Sequence, residues 1–507
     1  MELLQNLAFG FGVALSFSNI LYCLIGVTVG TFVGVLPGIG PMAAISMLLP
    51  ITFGLDPVGA LIMLAGIYYG AQFGSSVTSI LLNIPGHAAA AVICLDGHPM
   101  AKQGRAAVGL VGSAIASFIG GSLAIILVMQ FAPPLAVFAL RFGPTEYFSM
   151  MLLALLAAAA LAQGSFLRGF GMVVMGLIIG TVGIDVNSGA QRLTFGNWNL
   201  ADGVSFVIVA MGFFAIAEVL SNLEPNSKPQ MIGSDFKWRE LVPTWHDFKQ
   251  AFGSIIRGFG VGSLFGVLPG SGPTIASFVS YSVEKKVSRT PERFGKGALE
   301  GVTGPESANN AAAVAGFIPT LTLGVPGDAI MALMLGCLMI FGIQPGPSVI
   351  TDNPELFWGL MASMWIGNLL LLILNIPMVG VWVRVLKIPY RILFPSILLF
   401  ICIGVYATNN NVFDILMLAG FGVVGYVLSK LDCPAAPLLL GVILGPLIEE
   451  NLRRALLISG GDPSVFITHP ISLGLLLVAA AVVVVFSYSG LRARSNKPAP
   501  IASPDND

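Results

Sequence analysis

The residues best placed to do chemistry belong to an octapeptide that occurs twice. Gly34-Val35-Leu36-Pro37-Gly38-Ile39-Gly40-Pro41 returns 232 residues later as Gly266-Val267-Leu268-Pro269-Gly270-Ser271-Gly272-Pro273, with seven of eight positions identical. A second pair follows in the same order: Leu82-Asn83-Ile84-Pro85-Gly86 and Leu323-Gly324-Val325-Pro326-Gly327, offset by 241. Each lies within an apolar stretch. Proline lacks an N–H and glycine is conformationally permissive, so a helix stops there. The break exposes backbone N–H and C=O groups in apolar surroundings, which is tolerated only where protein buries them or they line a watery cavity. Helix N-termini at such breaks attract anions, carboxylates above all, and freed carbonyls suit a small cation such as Na⁺. No Lys or Arg lies in 37–41, 83–87, 269–273 or 324–328. Backbone dipoles therefore carry the burden of holding an anion.

The backbone candidates are Pro37, Gly38, Gly40, Pro41, Asn83, Pro85, Gly86, Gly270, Ser271, Gly272, Pro273, Pro326 and Gly327. The side-chain candidates beside them are Ser75, Ser76, Thr78, Thr274, Asn309, Asn310, Thr320, Thr322 and Asp328, with Gln72, Ser79 and Ser277 close by. A lone hydroxyl in an apolar helix more often bonds back to its own helix or packs against a neighbour. Their clustering beside the breaks is what makes them a substrate and ion site. Asp328 reads equally as a helix N-cap and as a cation ligand. Glu306 and Arg257 read as interfacial, with Arg257 snorkelling toward the headgroups. His87 follows a break and reads equally as packed or as touching substrate. The four histidines form no metal-spaced motif, and the five cysteines are dispersed without a CxxC pair. No metal site and no cofactor is expected, only a coupling Na⁺ or H⁺.

The elements that position these residues follow from composition. Of 507 residues, 56% are hydrophobic and 10% charged, against about 25% charged in an ordinary soluble domain. Mean hydropathy is +0.89. That excludes a water-soluble fold, and a net charge of −1 leaves no basic excess for nucleic acid. A span needs about 20 apolar residues. Such stretches lie near 57–83, 107–131, 145–163, 169–186, 203–220, 305–324, 355–381, 392–408, 411–428, 434–448 and 471–490. Apolar arms 19–36 and 251–268 run into the LPGxGP breaks, and shorter arms 42–53 and 274–283 return from them. Each reads as a re-entrant hairpin, followed by a discontinuous span. The expected fold is an all-α polytopic membrane protein of two inverted repeats, each with a re-entrant hairpin and a discontinuous helix, in roughly 11–12 spans. The first repeat covers 1–220 and the second 250–490. A polar cytoplasmic loop, 221–249, joins them, and 491–507 forms a disordered cytoplasmic tail.

Orientation comes from the cations. No Lys or Arg precedes Lys102, so the opening MELLQNLAFGFG lacks the positive start of a signal peptide. If the first hairpin enters from outside, every Lys and Arg falls on the cytoplasmic side except Arg141, Arg192, Arg453, Arg454 and Arg257. The second hairpin then opens on the basic run Lys285, Lys286, Arg289, Arg293 and Lys296, from the opposite face. An inverted pair of broken helices is the signature of a secondary transporter. An intramembrane enzyme lacks a second aspartate for Asp328, and an ion channel lacks a filter-like motif. A sliding, elevator-like exchange of access fits hairpins entering from opposite faces.

The sequence resembles the large integral-membrane subunit of the tripartite tricarboxylate transporter family. The likeness rests on GVLPGIGP (34–41), GIYYGAQFGSSVTSILLNIPG (66–86), LDGHPMAKQGRA (95–106), LRFGPTEYF (140–148), GVLPGSGP (266–273), GPESANNAAAVAGFIPTLTLGVPGD (304–328), GIQPGP (342–347) and LGPLIEENLRRALLISGGDP (444–463). The resemblance implies a multi-pass protein of the bacterial inner membrane. It further implies a small membrane subunit, a periplasmic solute-binding protein and an ion gradient as partners, and citrate-like tricarboxylates or dicarboxylates as substrate. A homodimer is a further expectation. His87 and His98 depart from the family pattern and stand as candidates for tuning the substrate.

Overall fold

Inside a bilayer a helix satisfies its own N–H and C=O groups, and apolar runs punctuated by proline and glycine become helices of unequal length. The computed structural model describes residues 2–36, 40–162, 165–185, 188–222, 244–268, 272–385 and 390–495. Pro37, Gly38, Gly270 and Ser271 lie outside the described residues, as do 223–243 of the connecting loop and the tail from 496.

The first half runs α1 (Glu2–Ala14), α2 (Phe17–Val35), α3 (Pro41–Thr52), α4 (Pro57–Leu82), a 3₁₀ turn (Ala88–Val92), α5 (Cys94–Lys102), α6 (Ala106–Ala139), α7 (Pro144–Leu161) and α8 (Phe166–Gly180). A two-residue antiparallel pair, β1 (Gly183–Ile184) and β2 (Gln191–Arg192), precedes α9 (Phe206–Ala210), a π-helical stretch at Met211–Ile216 and α10 (Ala217–Asn222). The second half runs α11 (Trp245–Gly266), α12 (Gly272–Val287), α13 (Glu300–Ala315), α14 (Phe317–Leu323) and α15 (Ala329–Ile340). After α16 (Ser348–Asp352) come α17 (Pro354–Asn375), α18 (Val379–Val385), α19 (Tyr390–Asn409) and α20 (Val412–Lys430). The chain closes with α21 (Ala435–Ile458), α22 (Val465–Thr468) and α23 (Pro470–Ser495). Among the described residues, α2, α4, α6, α7, α17, α20 and α21 are long and apolar enough to cross a membrane. The all-α polytopic reading holds. Helix α1 was not foreseen, because Gly10 and Gly12 weaken a short N-terminal pattern. Helix α11 begins inside the stretch read as a loop, under a Thr244–Asp247 capping box.

Both breaks form where the motifs place them, and the return arms restart on proline: Pro41 opens α3, and Pro273 is the second residue of α12. The duplication extends to packing. Added Cβ atoms on Gly26, Gly30 and Gly34 of α2 would strike the backbone of Met63, Ile67 and Ala71 of α4. On Gly258, Gly262 and Gly266 of α11 they would strike Gly304, Ala308 and Ala312 of α13. Those positions are related by 232 on the hairpin and 241 on its partner, the offsets of the motifs themselves. Small residues let the helix backbones touch. Backbone cannot rotate aside, so Gly30→Leu and Gly262→Leu should each cost about 1–3 kcal/mol. The readout is a lower Tm of the detergent-purified protein, with Gly12→Leu, which has open space around it, as the unaffected control.

Helix α4 is buried along nearly its whole length, whereas α20 exposes most of its apolar surface, which places α4 at the centre and α20 at the lipid boundary. Side-chain contacts between loops divide into two sets. Arg105 meets Asp247 (3.5 Å), Gln103 donates to the Lys296 carbonyl (2.8 Å) and Arg168 meets Asp432 (3.3 Å). In the other set Arg192 meets Glu449 (2.9 Å), Arg453 meets Asp185 (3.0 Å), Asn411 meets Asn199 (2.9 Å) and His469 meets Glu146 (2.8 Å). Each pair joins loops that the charge-based threading puts on one side. The mouth of the first hairpin packs near the start of α17, through Gly359 against Val13 and Val58, while the second opens beside Arg105 and Glu300.

Candidate functional site

Helix α4 ends on Asn83 with φ 58° and ψ 29°, and α14 ends on Gly324 with φ 69° and ψ 19°. Both are left-handed C-caps, a conformation glycine adopts freely and asparagine better than most. Four residues on, His87 (φ −153°) and Asp328 (φ −150°) are both extended and open the next helical piece. The two breaks therefore match in backbone conformation at both of these positions, at the 241-residue offset. The end of each hairpin's first arm leans on its own broken helix. The Gly34 carbonyl oxygen lies 3.1 Å from where a Cβ on Gly86 would stand, and the Gly266 oxygen 3.2 Å from that of Gly327. Gly40 faces the Gly86 carbonyl and His87. The first predicted break therefore meets the second, Gly40 beside Gly86 and His87, and the arm leading into the third meets the fourth, Gly266 beside Gly327. Tyr68 of α4 reaches from the first unit to the second break, its hydroxyl donating to Asp328 Oδ2 at 3.1 Å. Asp328 Oδ1 accepts the Met331 N–H at 2.8 Å, so Asp328 is an N-cap.

Several predicted side chains take the plainer role. Thr78 and Ser79 donate to the Ser75 carbonyl, Thr320 to that of Gly316 and Thr322 to that of Ile318, while Ser277 donates to Pro273 and Pro305. Thr274 is half-buried near the start of α12, Pro41, Gly272 and Pro326 are buried, Pro85 and Pro273 are half-buried, and Asn83 is exposed. Others are buried with polar atoms that have no partner among the described residues: Ser75 Oγ, Asn310 Oδ1 and both amide atoms of Asn309, together with Tyr69 Oη, Gln72 Oε1 and His87 Nε2. A buried polar atom left unpaired costs about 1–3 kcal/mol, so such atoms gathered on α4, α13 and the first break mark where a bound species would gain hydrogen bonds.

The repeat register gives two of these atoms added meaning. Asn309 stands 241 residues after Tyr68, and Asp328 stands 241 after His87. The pair Tyr68–Asp328 is hydrogen-bonded; its counterpart, Asn309 and His87, is the pair whose polar atoms are left open.

Two expectations are corrected. Glu306 is not interfacial: it is fully buried, accepting from Ser76 (2.9 Å), Ser117 (2.7 Å) and Asn310 (3.3 Å). The long stretch 300–323 bends at Gly316, so Glu306 lies well inside the packed helix rather than at an end. Arg257 is no simple snorkelling cation, since it grips the buried Glu284 of α12 through Nε (2.8 Å) and Nη2 (2.6 Å). Tyr68 was not singled out from the sequence. Carrying the 241-residue register over to polar residues would have found it opposite Asn309. His98, the other candidate for tuning the substrate, is in contact with the Ile80 carbonyl through Nδ1 at 3.2 Å.

An all-helical polytopic protein with a duplicated broken-helix unit, and open polar groups at the breaks, is a membrane transport protein. The chain belongs to the tripartite tricarboxylate transporter TctA family, whose sequence model matches residues 20–440. It is 51% identical over 500 residues to the "Uncharacterized 52.8 kDa protein in TAR-I ttuC' 3'region" of Agrobacterium vitis, covering 98% of this chain and 99% of that one. It is 56% identical over 236 residues to the "Uncharacterized protein in TAR-II ttuC' 3'region" of the same organism, covering 46% of this chain and 98% of that one. No solved structure matches the chain.

Proposed function

We propose that this chain is the large translocating subunit of a secondary transporter that imports organic carboxylate anions, of the tricarboxylate or dicarboxylate type, across the bacterial inner membrane. It works with a small membrane subunit and a periplasmic binding protein and is driven by a Na⁺ or H⁺ gradient. The observation that carries this reading is the contact of each hairpin arm with its own Pro-Gly break, Gly34 with Gly86 and Gly266 with Gly327, beside buried amide, hydroxyl and imidazole atoms that have no partner among the described residues. Backbone N–H groups and the neutral donors among those atoms, Ser75 Oγ, Tyr69 Oη and Asn309 Nδ2, suit a carboxylate without a side-chain cation. The sides that the charge-based threading gives the two mouths, the first beside the start of α17 and the second beside Arg105, favour an inverted arrangement. Opposed hairpins favour an elevator-like slide over rocking of two bundles.

The test is uptake of labelled citrate and labelled C4-dicarboxylates by proteoliposomes holding the chain and its partner proteins, with and without Na⁺ and pH gradients. Gradient-dependent uptake of at least one anion is expected, with Asn309→Ala raising KM more than it lowers expression. Uptake indifferent to both gradients would defeat secondary transport.

A further inference from the structure

The buried Glu306 has no part in the site as described, and its surroundings are unusual for a carboxylate. Its two oxygens are held by neutral donors from three helices: Ser76 Oγ of α4 on Oε2 at 2.9 Å, Ser117 Oγ of α6 on Oε1 at 2.7 Å, and Asn310 Nδ2 of α13 on Oε1 at 3.3 Å. Asn310 Nδ2 also donates to Ser117 Oγ at 2.9 Å, which closes the ring. Among the described residues no cation pairs with Glu306 within 4.0 Å. The elements packed on α13 explain why. Helix α6 carries no titratable side chain, nor do α14 and the 3₁₀ turn, and α4 offers Tyr68 and Tyr69. Helix α11 brings Arg257, but that guanidinium is clamped by Glu284 of α12. Tyr281 of α12 and Asp96 of α5 bond each other nearer the start of α13, by Gly301. His246, Asp247 and Lys249 of α11, Lys285 and Lys286 of α12, Cys94, His98 and Lys102 of α5, and Glu300 of α13 complete the charged and titratable groups of these elements.

An ionisable group inside an apolar bundle is expensive and is retained for function by default. Without a cation, the way to neutralise this one is a proton. The two hydroxyls can turn from donors into acceptors, so the same ring accommodates the carboxylate and the carboxylic acid. The location is also where α6 and α13 pack most closely: a Cβ on Gly120 of α6 would meet the Ser307 backbone, one residue from Glu306. We propose that Glu306 is the residue that takes up and releases a coupling proton as α13 moves against α4 and α6. Charged, it locks the three helices through Ser76 and Ser117; protonated, it loosens that tie. The inference rests on the transport reading above and names its ion.

Two measurements test it. In proteoliposomes with the partner proteins, labelled citrate and C4-dicarboxylates are followed both in gradient-driven uptake and in counterflow exchange. Wild type should accumulate under an inward proton gradient, and Glu306→Gln should lose that accumulation while still exchanging. Accumulation kept by Glu306→Gln, or driven by Na⁺ alone in wild type, overturns the proton role; absence of exchange in wild type instead refutes the transport reading itself. The second measurement is independent of transport. Infrared titration of purified wild type should show a carboxyl C=O band that Glu306→Gln lacks and whose frequency Ser117→Ala shifts, because Oε1 loses a partner. A spectrum with no such band, or one unmoved in Ser117→Ala, overturns the assignment even if Glu306→Gln fails to fold.

Discussion

Asp96→Ala should be the most destabilising single substitution outside the helix-packing glycines. Asp96 is fully buried on α5 and its Oδ1 accepts three backbone N–H groups, from Gly295 (2.9 Å), Gly297 (2.8 Å) and Ala298 (2.8 Å). Its Oδ2 accepts the Tyr281 hydroxyl of α12 at 2.9 Å. The turn at 295–298 wraps the oxygen because Gly295 (φ 82°) and Gly297 (φ 103°) adopt left-handed backbone, a nest that points successive N–H groups at one anion. The carboxylate thereby pins the segment after the first break to the entrance of α13 in the second half. Alanine leaves those donors without an acceptor, at about 1–3 kcal/mol each where water does not replace it. A native state worth only about 5–15 kcal/mol feels such a loss. The expected result is a lower Tm in detergent and faster trypsin cleavage after Arg289, Arg293 and Lys296. Asp96→Asn keeps one oxygen for the three donors and should recover most of the stability. Unchanged Tm and cleavage in Asp96→Ala would show that the turn holds itself.

Asp96 also marks the limit of what the sequence made legible. Breaks at Asn83 and Gly324, the hairpin arms and most spans were readable because proline and glycine act locally, on their own residues' backbone. The duplication was readable because it survives as identical residues. Asp96, Glu306 and Tyr68 were not, because what defines each is a partner 185, 230 or 260 residues away, and no local pattern encodes such distances. Glu306 was misplaced for a related reason. Local hydropathy treats a glutamate near the start of an apolar run as an interface residue, but α13 is a run of Gly, Ala, Ser and Asn whose burial comes from α6, α11 and α12 packing around it. The hydroxyl candidates divided along the same line. Thr320 and Thr322 are satisfied within their own turn, which sequence can foresee. Asn309 is left open by what surrounds it, which sequence cannot.

Asp328→Ala should lower both stability and transport, and the companion variants separate the causes. Alanine removes the cap from the first turn of α15, about 1 kcal/mol, by taking away the acceptor of the Met331 N–H. It also strands the Tyr68 hydroxyl, which is buried between the two halves and donates to Oδ2, at about 1–3 kcal/mol. The second cost belongs to the pair. Tyr68→Phe removes the stranded group, so the double variant Tyr68→Phe with Asp328→Ala should melt above Asp328→Ala alone, the non-additivity expected of residues in contact. Asp328→Asn keeps an oxygen for Met331 N–H and an amide that the Tyr68 hydroxyl can accept, so it should restore the Tm. It should restore uptake too, because both Asp328 oxygens already serve protein donors and the residue acts by shaping the second break. A stable but inactive Asp328→Asn would move the requirement from the cap to the charge itself, and would make Asp328 an ion ligand opposite the open Asn309–His87 pair.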